Sequence, residues 1–216
     1  MPLVYQKTTG HNGTVGVWRI DENAGELRQM VSLTNEDDRQ LASFVRDQRK
    51  CEWLAVRILI QQLTGTPPQI GYHPSGAPFL ANSPMKISIT HTKGFAAVAL
   101  HPTHVIGIDI EYPSVRILKI ADRFMNDPEM SHAPADDTVT YQTVCWCAKE
   151  ALYKWWGKTD VSFRDELLLE PFAITRPEFS IGAVVVRNGE PQAVTLTGIV
   201  NDHYILTFVN VSRTVR

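Results

Sequence analysis

The segment Val105-Ile106-Gly107-Ile108-Asp109-Ile110-Glu111 has the clearest strand pattern in the chain. Isoleucine alternates with glycine or an acid, which is the period of two typical of a β-strand. The isoleucines then share one face, which predicts packing on a core. Asp109 and Glu111 share the other face, about 6.5–7 Å apart along the strand. Carboxylates this close repel each other, so they either lie on a solvated face or share a cation such as Mg²⁺.

Blocks of helix and strand are predicted on both sides of this segment. Apolar residues recur at helical spacing in two long stretches and one shorter stretch, and strand patterns separate them. The predicted helices span 34–63 with one break, 114–125 and 138–158, and the predicted strands lie within 3–20, 70–112 and 172–211. Residues 126–137 are polar and contain two prolines, so a loop is expected there. This order of elements predicts an α+β fold.

The two halves of the chain repeat one order of elements. In each half a long helix is followed by a Gly-x-Pro turn and by strands, and the turns are Gly76-Ala77-Pro78 and Gly189-Glu190-Pro191. The pattern predicts two similar α+β halves, residues 1–105 and 106–216, packed as one compact pseudo-dimeric unit. Because Gly-x-Pro turns are common, a fold without internal duplication stays open at this point.

Charge and composition exclude several classes of protein. The 216 residues contain 21 Lys and Arg and 23 Asp and Glu, a formal charge of −2, so no global footprint for nucleic acid is present. No apolar run approaches the roughly 20 residues that a membrane span needs. The N-terminus lacks the basic start and apolar stretch of a signal peptide. Three cysteines without framework spacing favour a reducing compartment, so a cytoplasmic protein is expected.

The second long helix contains the segment Trp146-Cys147-Ala148-Lys149-Glu150-Ala151-Leu152-Tyr153-Lys154. Glu150 and Lys154 are four residues apart with the acid first, which is typical of an ordinary surface ion pair. Alternatively, Glu150 adds a third carboxylate to the Asp109 face while Lys149 and Lys154 flank an anionic substrate. A lysine whose pKa is lowered by positive neighbours can act as a general base.

Two other segments are candidates for phosphate binding. Arg46, Lys50 and Arg57 fall within about 40° of each other around the first long helix. They form either a solvated face or a phosphate-binding edge. Thr90 and His91 end a strand just before a glycine turn, where a hydroxyl and an imidazole could bind phosphate or serve the fold alone. The chain contains no P-loop, dinucleotide-binding or G-x-S-x-G motif, which argues against the corresponding enzyme classes.

Taken together, these segments resemble the 4′-phosphopantetheinyl transferase superfamily, in its longer, Sfp-like monomeric branch. The resemblance covers roughly residues 34–160. It is carried in chain order by Arg49…Glu52…Arg57, Gly76-Ala77-Pro78, Ser88-Ile89-Thr90-His91, the Gly107–Glu111 segment and the Trp146–Lys154 segment. The last two are specific as a pair, whereas either one alone is weak.

The resemblance implies a fold and a reaction. The fold is two similar α+β halves with the active site in the cleft between them. The reaction transfers the 4′-phosphopantetheine arm of coenzyme A to a serine of an apo acyl or peptidyl carrier protein, with Mg²⁺, and releases adenosine 3′,5′-bisphosphate. The implied enzyme is a cytoplasmic monomer whose partner is an acidic carrier protein or domain. A catalytically weak relative that only binds coenzyme A or a carrier is the alternative.

The resemblance also implies roles for individual residues. The implied Mg²⁺ ligands are Asp109, Glu111 and Glu150. Glu150, or Lys154 beside it, is implied to deprotonate the incoming serine. The implied coenzyme A-binding residues are Arg49, Lys50, Arg57, Thr90, His91, Lys149 and Lys154. Many relatives have lysine where this chain has Ala77, so weaker coenzyme A binding is expected unless Lys86 or Lys93 compensates.

Overall fold

A computed structural model describes residues 2–157, 160–187 and 189–210 of the chain. The strands are β1 (Leu3–Thr9), β2 (Gly13–Arg19), β3 (Ile70–Tyr72), β4 (Pro78–Leu80), β5 (Lys86–Thr92), β6 (Phe95–His101), β7 (Ile108–Glu111), β8 (Leu167–Leu169), β9 (Glu178–Arg187), β10 (Glu190–Val200) and β11 (Ile205–Val209). The α-helices are α1 (Ala24–Gln29), α2 (Asn35–Ser43), α3 (Asp47–Thr64), α4 (Ala121–Phe124), α5 (Asp127–Ser131) and α6 (Thr138–Trp156), and short 3₁₀ helices span Gly10–Asn12 and Val115–Lys119. The predicted α+β class is confirmed.

The main elements form four layers in the order helix, sheet, sheet, helix. The first sheet is antiparallel with strand order β1-β2-β6-β5, and the second is antiparallel with order β7-β11-β10-β9-β8. One core lies between α3 and the first sheet, and another between α6 and the second sheet. A third core joins the inner faces of the two sheets. All strands of the first sheet precede residue 105, and all strands of the second follow it. The division of the chain into an N-terminal half, residues 1–105, and a C-terminal half, residues 106–216, stays a proposal.

The third core explains the isoleucine face of the opening segment. Ile108 and Ile110 are 0% and 1% exposed and pack with Val17 and Ala97 of the first sheet. The predicted core face of this strand is therefore confirmed. A strand covered on both faces is a nearly continuous apolar run, and β6, which is buried along its whole length, is apolar except at its last residue, His101.

Gly107 allows α6 to approach β7 closely. A Cβ atom at this position would lie 1.9 Å from the carbonyl oxygen of Ala151 and 2.7 Å from the backbone nitrogen of Trp155. Any side chain here would therefore force the helix away from the strand. The close approach places the last turns of α6 against Asp109.

Two predicted elements differ from the structure, and two short elements, α1 and β8, lie outside the predicted ranges. The helix predicted over 114–125 is divided, because Ile120 leaves helical geometry between the 3₁₀ helix and α4. The loop predicted over 126–137 contains α5, which a capping box between Asn126 and Glu129 stabilises. The helix α1 begins with a similar box at Asn23 and was also not predicted. Positions 158, 188 and 211, where predicted elements end or turn, lie outside the described residues.

Candidate active site

A cavity of about 910 Å³ opens where the two sheets and both long helices meet. Its walls come from α3, the β3–β4 hairpin, β5, the start of β7 and the last turn of α6. Arg49, His91, Asp109 and Lys154 are among the residues that line it. The volume falls within the range of sites for small molecules and cofactors.

Asp109 is the centre of the polar end of this cavity. It is 4% exposed, and its Oδ1 atom accepts hydrogen bonds from Thr90 Oγ1 at 2.8 Å and from Lys154 Nζ at 2.6 Å. Lys154 also donates to the carbonyl oxygen of Ile108 at 3.2 Å. The Oδ2 atom of Asp109 is buried and has no hydrogen-bond partner within the described part of the chain. A buried oxygen without a partner is costly unless a ligand completes its environment.

The charge of Asp109 acts on two further carboxylates, Glu111 and Glu150. Burial and the charge of Asp109 raise the pKa of Glu111 to about 7, and Glu150 adds to this effect. Burial and Asp109 also raise the pKa of Glu150. Trp146 donates its indole N–H to Glu111 Oε1 at 3.0 Å and so fixes that carboxylate. The three acids therefore form one electrostatic cluster on the α6 side of β7.

The cluster has the chemistry of a site for a hard divalent cation. Oxygen ligands, mutual repulsion and the partnerless Oδ2 atom of Asp109 all favour Mg²⁺ over a softer metal. Within residues 2–157, 160–187 and 189–210, however, no three His, Cys, Asp or Glu side chains are placed so that they could hold a metal together. The donor types therefore fit a hard cation, although the three carboxylates do not converge in the described structure.

His91, Arg49 and Glu52 form a second polar group on the cavity wall. An Nη atom of Arg49 lies 2.8 Å from His91 Nε2, and His91 Nδ1 lies 3.3 Å from Glu52. Arg49 can only donate, so His91 accepts at Nε2 and carries its proton at Nδ1, facing Glu52. Burial, with the charges of Arg49 and Lys154, lowers the pKa of His91. The imidazole is therefore neutral near pH 7 and is oriented from both sides.

Three of the predicted substrate-binding residues already pair with acids of the protein. Lys149 is fully buried and donates to Glu129 and to the carbonyl oxygens of residues 124 and 163. Arg57 lines the cavity but pairs with Asp37 at 2.9 Å and stacks on a tryptophan ring. Lys50 does not line the cavity and pairs with Asp47, three residues earlier on α3. The remaining predicted residues are brought together around Asp109 or on the cavity wall.

Two residues near the site had no role assigned from the sequence. Glu52 is 7% exposed and holds Arg49 and His91 in place. In the sequence, the spacing of three residues between Arg49 and Glu52 on a predicted helix indicates that these two side chains can pair. Glu129 pairs with the buried Lys149. In the sequence, the capping-box pattern from Asn126 to Glu129 indicates the short helix that contains Glu129, but not this ion pair.

Comparison with known protein families gives a match in the second half of the chain. Residues 105–209 match the family model of the 4′-phosphopantetheinyl transferase superfamily. Over this part, just under half of the chain, the protein is similar to that superfamily. The match includes Asp109, Glu111, Glu150 and Lys154, and it gives phosphopantetheine transfer as the general class of chemistry. Proteins of the 4′-phosphopantetheinyl transferase superfamily use coenzyme A as substrate and act on carrier proteins.

No curated protein matches the chain, and membership of the longer, Sfp-like branch stays a prediction. Among the helices of the described residues, none is both long enough and apolar enough to cross a membrane.

Proposed function

We propose that the protein transfers the 4′-phosphopantetheine arm of coenzyme A to a serine hydroxyl of an apo carrier protein, releasing adenosine 3′,5′-bisphosphate. The observation that supports this most strongly is the buried Asp109, with one oxygen held by Thr90 and Lys154 and the other without a partner. It lies at the polar end of a cavity large enough for a nucleotide-sized substrate. The adjacent Glu111 and Glu150 complete a donor set for Mg²⁺.

The residues around Asp109 would position the pyrophosphate of coenzyme A. Mg²⁺ held by Asp109, Glu111 and Glu150 would neutralise charge on the pyrophosphate and polarise the bond that breaks. Thr90 fixes the rotamer of Asp109, and Lys154 supplies a positive charge next to the transferred phosphoryl group. Phosphoryl transfer depends mainly on such positioning and charge neutralisation.

Glu150 is the proposed general base for the serine hydroxyl. Its carboxylate lies near Asp109, and burial raises its pKa toward the range in which a carboxylate accepts a proton effectively. Lys154, one helical turn later on α6, is the second candidate. Arg49 and His91 on the opposite wall are proposed to contact phosphate oxygens of coenzyme A, with Arg49 turning from His91 toward the ligand.

The surface beside Glu111 is the proposed docking site for the carrier. Val115 and Leu118 of the 3₁₀ helix are 70% and 47% exposed. Arg116, Lys119 and Arg123 are also exposed on this segment, which gives a basic and apolar surface next to the site. Such a surface complements an acidic carrier protein or domain. We retain a cytoplasmic monomer as part of the proposal.

Intact mass measurement of the carrier tests the proposed transfer. The protein is incubated with Mg²⁺, coenzyme A and a panel of acidic and neutral apo carriers. We expect a phosphopantetheine adduct on at least one acidic carrier. Asp109→Ala and Glu150→Ala should lower the rate at least about a hundredfold, because each removes a group that acts on the reacting atoms.

Asp202→Asn is the matched control for these variants, because Asp202 is an exposed acid that pairs with Arg176 in the same half. It should react at the wild-type rate. Coenzyme A binding without any adduct on any carrier would overturn the transferase proposal and favour the binding-module alternative.

A further inference from the structure

Three histidine rings cluster where the first sheet ends. His104, in the loop after β6, stacks on His11 with the ring centroids 5.4 Å apart. Its ring also lies 4.7 Å from that of His101, the last residue of β6. His11 belongs to the 3₁₀ helix between β1 and β2, so the cluster joins two connections of the first sheet. Other residues line the cavity of the candidate active site, and the proposed function does not use this cluster.

The hydrogen bonds of His101 fix which of its ring nitrogens carries the proton. The residue is 5% exposed, and its Nδ1 atom lies 3.1 Å from the backbone nitrogen of Thr103 and 2.8 Å from that of His104. Because backbone N–H groups can only donate, Nδ1 accepts both hydrogen bonds and carries no proton. The proton of the neutral ring is then on Nε2, which lies 3.3 Å from the carbonyl oxygen of Gly10. A second proton can enter the ring only at Nδ1, where it would break both hydrogen bonds of the turn 101–104.

The surroundings of His101 also oppose a positive charge. The titratable groups that face it are His104 and His11 from the two connections, and Lys86 from β5, its partner in the strand register. Within the described residues, the parts of β1, β2 and the end of β11 that lie beside the cluster are uncharged. All three facing groups are bases, so none of them compensates a proton on His101. Burial and the charges of His104 and His11 accordingly lower the pKa of His101.

The turn that His101 stabilises leads directly into the wall of the active-site cavity. Val105 and Ile106 follow the turn, and they line both the cavity and a small pocket beside the three histidines. The strand β7 begins two residues later, at Ile108, and carries Asp109. Protonation of His101 would remove the acceptor from two backbone N–H groups at the start of this segment. The segment would then lose its attachment at the end that is nearest the first sheet.

We infer that His101, with His11 and His104, forms an acid-sensitive latch that holds residues 102–106 in place while the ring is neutral and releases them when it is protonated. This inference goes beyond the proposed function and does not depend on it, because it concerns the folded chain without ligands. The opened segment takes up a proton near the ordinary pKa of histidine, about 6.5, whereas the closed form resists protonation. The latch is therefore closed above pH 6.5 and opens more often as the pH falls below that value.

Nuclear magnetic resonance of the ligand-free protein tests the latch. The ring nitrogen shifts of His101 should show a proton on Nε2, and its titration midpoint should lie below about 6.5. The protection of the Thr103 and His104 amides, corrected for intrinsic exchange rates, should fall about tenfold between pH 7.5 and pH 5.5. This factor is expected because the opened segment takes up one proton that the closed segment does not.

His101→Asn separates the titration of the ring from the hydrogen bonds of the turn. An asparagine oxygen can accept from backbone N–H groups two and three residues later, and the amide does not titrate. Protection of the Thr103 amide in this variant should not depend on pH over the same range. His11→Asn removes one facing base without backbone strain, because asparagine tolerates the positive φ of 57° at this position. It should reduce the loss of protection at low pH.

His132→Asn is the matched control, because His132 is an exposed histidine in the second half of the chain. It removes the same titrating group and should leave the tenfold change intact. A titration midpoint of His101 at or above about 6.5, or a proton on Nδ1 at neutral pH, would overturn the latch. The same holds if the loss of protection persists in His101→Asn or disappears in His132→Asn. If His101→Asn does not fold, the titration of the wild type and the His11→Asn variant still decide the question.

These outcomes are independent of the proposed function. The mass of the carrier decides whether the protein transfers phosphopantetheine, whereas the latch is measured without coenzyme A, Mg²⁺ or a carrier. An active transferase without a pH-dependent turn would refute the latch alone. A pH-dependent turn in a protein that modifies no carrier would refute the transferase proposal alone.

Discussion

At the scale of single residues, Glu111 is an acid whose surroundings favour its protonated form. Burial and the charge of Asp109 raise its pKa from 4.5 to about 7. The folded protein therefore holds this proton more tightly than the unfolded chain does. Between about pH 4.5 and pH 7, the folded state binds more protons at this site, so its stability falls as the pH rises. A bound cation would reverse this effect by stabilising the carboxylate.

Glu111→Gln should therefore stabilise the metal-free protein at pH 8. The amide keeps an oxygen that can accept from Trp146 and removes the charge that Asp109 repels. We expect the free energy of unfolding to rise by about 1–3 kcal/mol at pH 8, with a smaller gain at pH 5. Urea unfolding at the two pH values measures this. Adding Mg²⁺ should stabilise the wild type and not the variant, and an equally stable or less stable variant at pH 8 would contradict the prediction.

Lys149 and Lys154 show what the sequence could and could not predict about single residues. They lie five residues apart on one helix, so their side chains point about 140° apart and cannot face one substrate. This geometry separates Lys149 from the site, whereas Glu150 and Lys154 share a face. The partner of Lys149 could not be predicted, because Glu129 lies in a segment that has the polar composition of a loop. Pairings across long sequence separations depend on packing that no local pattern records.

At the scale of elements, the contact of α6 with β7 sets the geometry of the site. Asp109 comes from β7, whereas Lys154, Glu150 and Trp146 come from α6. The two elements can approach closely because Gly107 has no side chain. A displacement of α6 by about 1 Å would separate Lys154 from Asp109 and reduce catalysis, since phosphoryl transfer depends on position.

Gly107→Ala should therefore lower both stability and activity. The new methyl group would meet the backbone of α6, and overpacking of this kind costs about 1–3 kcal/mol. We expect a lower urea midpoint and a fall in kcat of about tenfold or more, with a smaller change in KM for coenzyme A. Gly10→Ala is a suitable control, because nothing lies within 4 Å of a Cβ atom at Gly10. Wild-type kcat in Gly107→Ala would show that the close approach does not position the site.

The elements themselves were predictable in proportion to their length and periodicity. The long helix α6 begins at the predicted residue 138, and the seven-residue strands β5 and β6 lie within the predicted range 70–112. The short helices α1 and α5 were missed because capping boxes, and not apolar periodicity, define them. The sequence contains these signals, but in short segments they compete with equally good turn patterns.

At the scale of the whole molecule, the third core makes the two sheets one packing unit. Val17 and Ala97 of the first sheet pack with Ile108, Leu206 and Phe208 of the second. The cavity lies at the edge of this interface, so the active-site geometry depends on how the sheets meet. The sequence predicted two halves and an apolar face on β7, but which strands would face each other follows only from the assembled layers.

The shared core predicts that both sheets lose their structure in a single cooperative transition. Val17 is fully buried in the first sheet, and its truncation in Val17→Ala should cost about 1–3 kcal/mol. Because the second sheet packs on the same core, that loss should appear equally in both halves. Hydrogen exchange in moderate urea, followed by mass spectrometry of peptides from β6 and from β11, measures the opening free energy of each sheet. Val4→Ala, at an exposed position of the same sheet, should change neither value. If Val17→Ala lowers the opening free energy of β6 and leaves that of β11 unchanged, the sheets open independently, and the third core does not couple them.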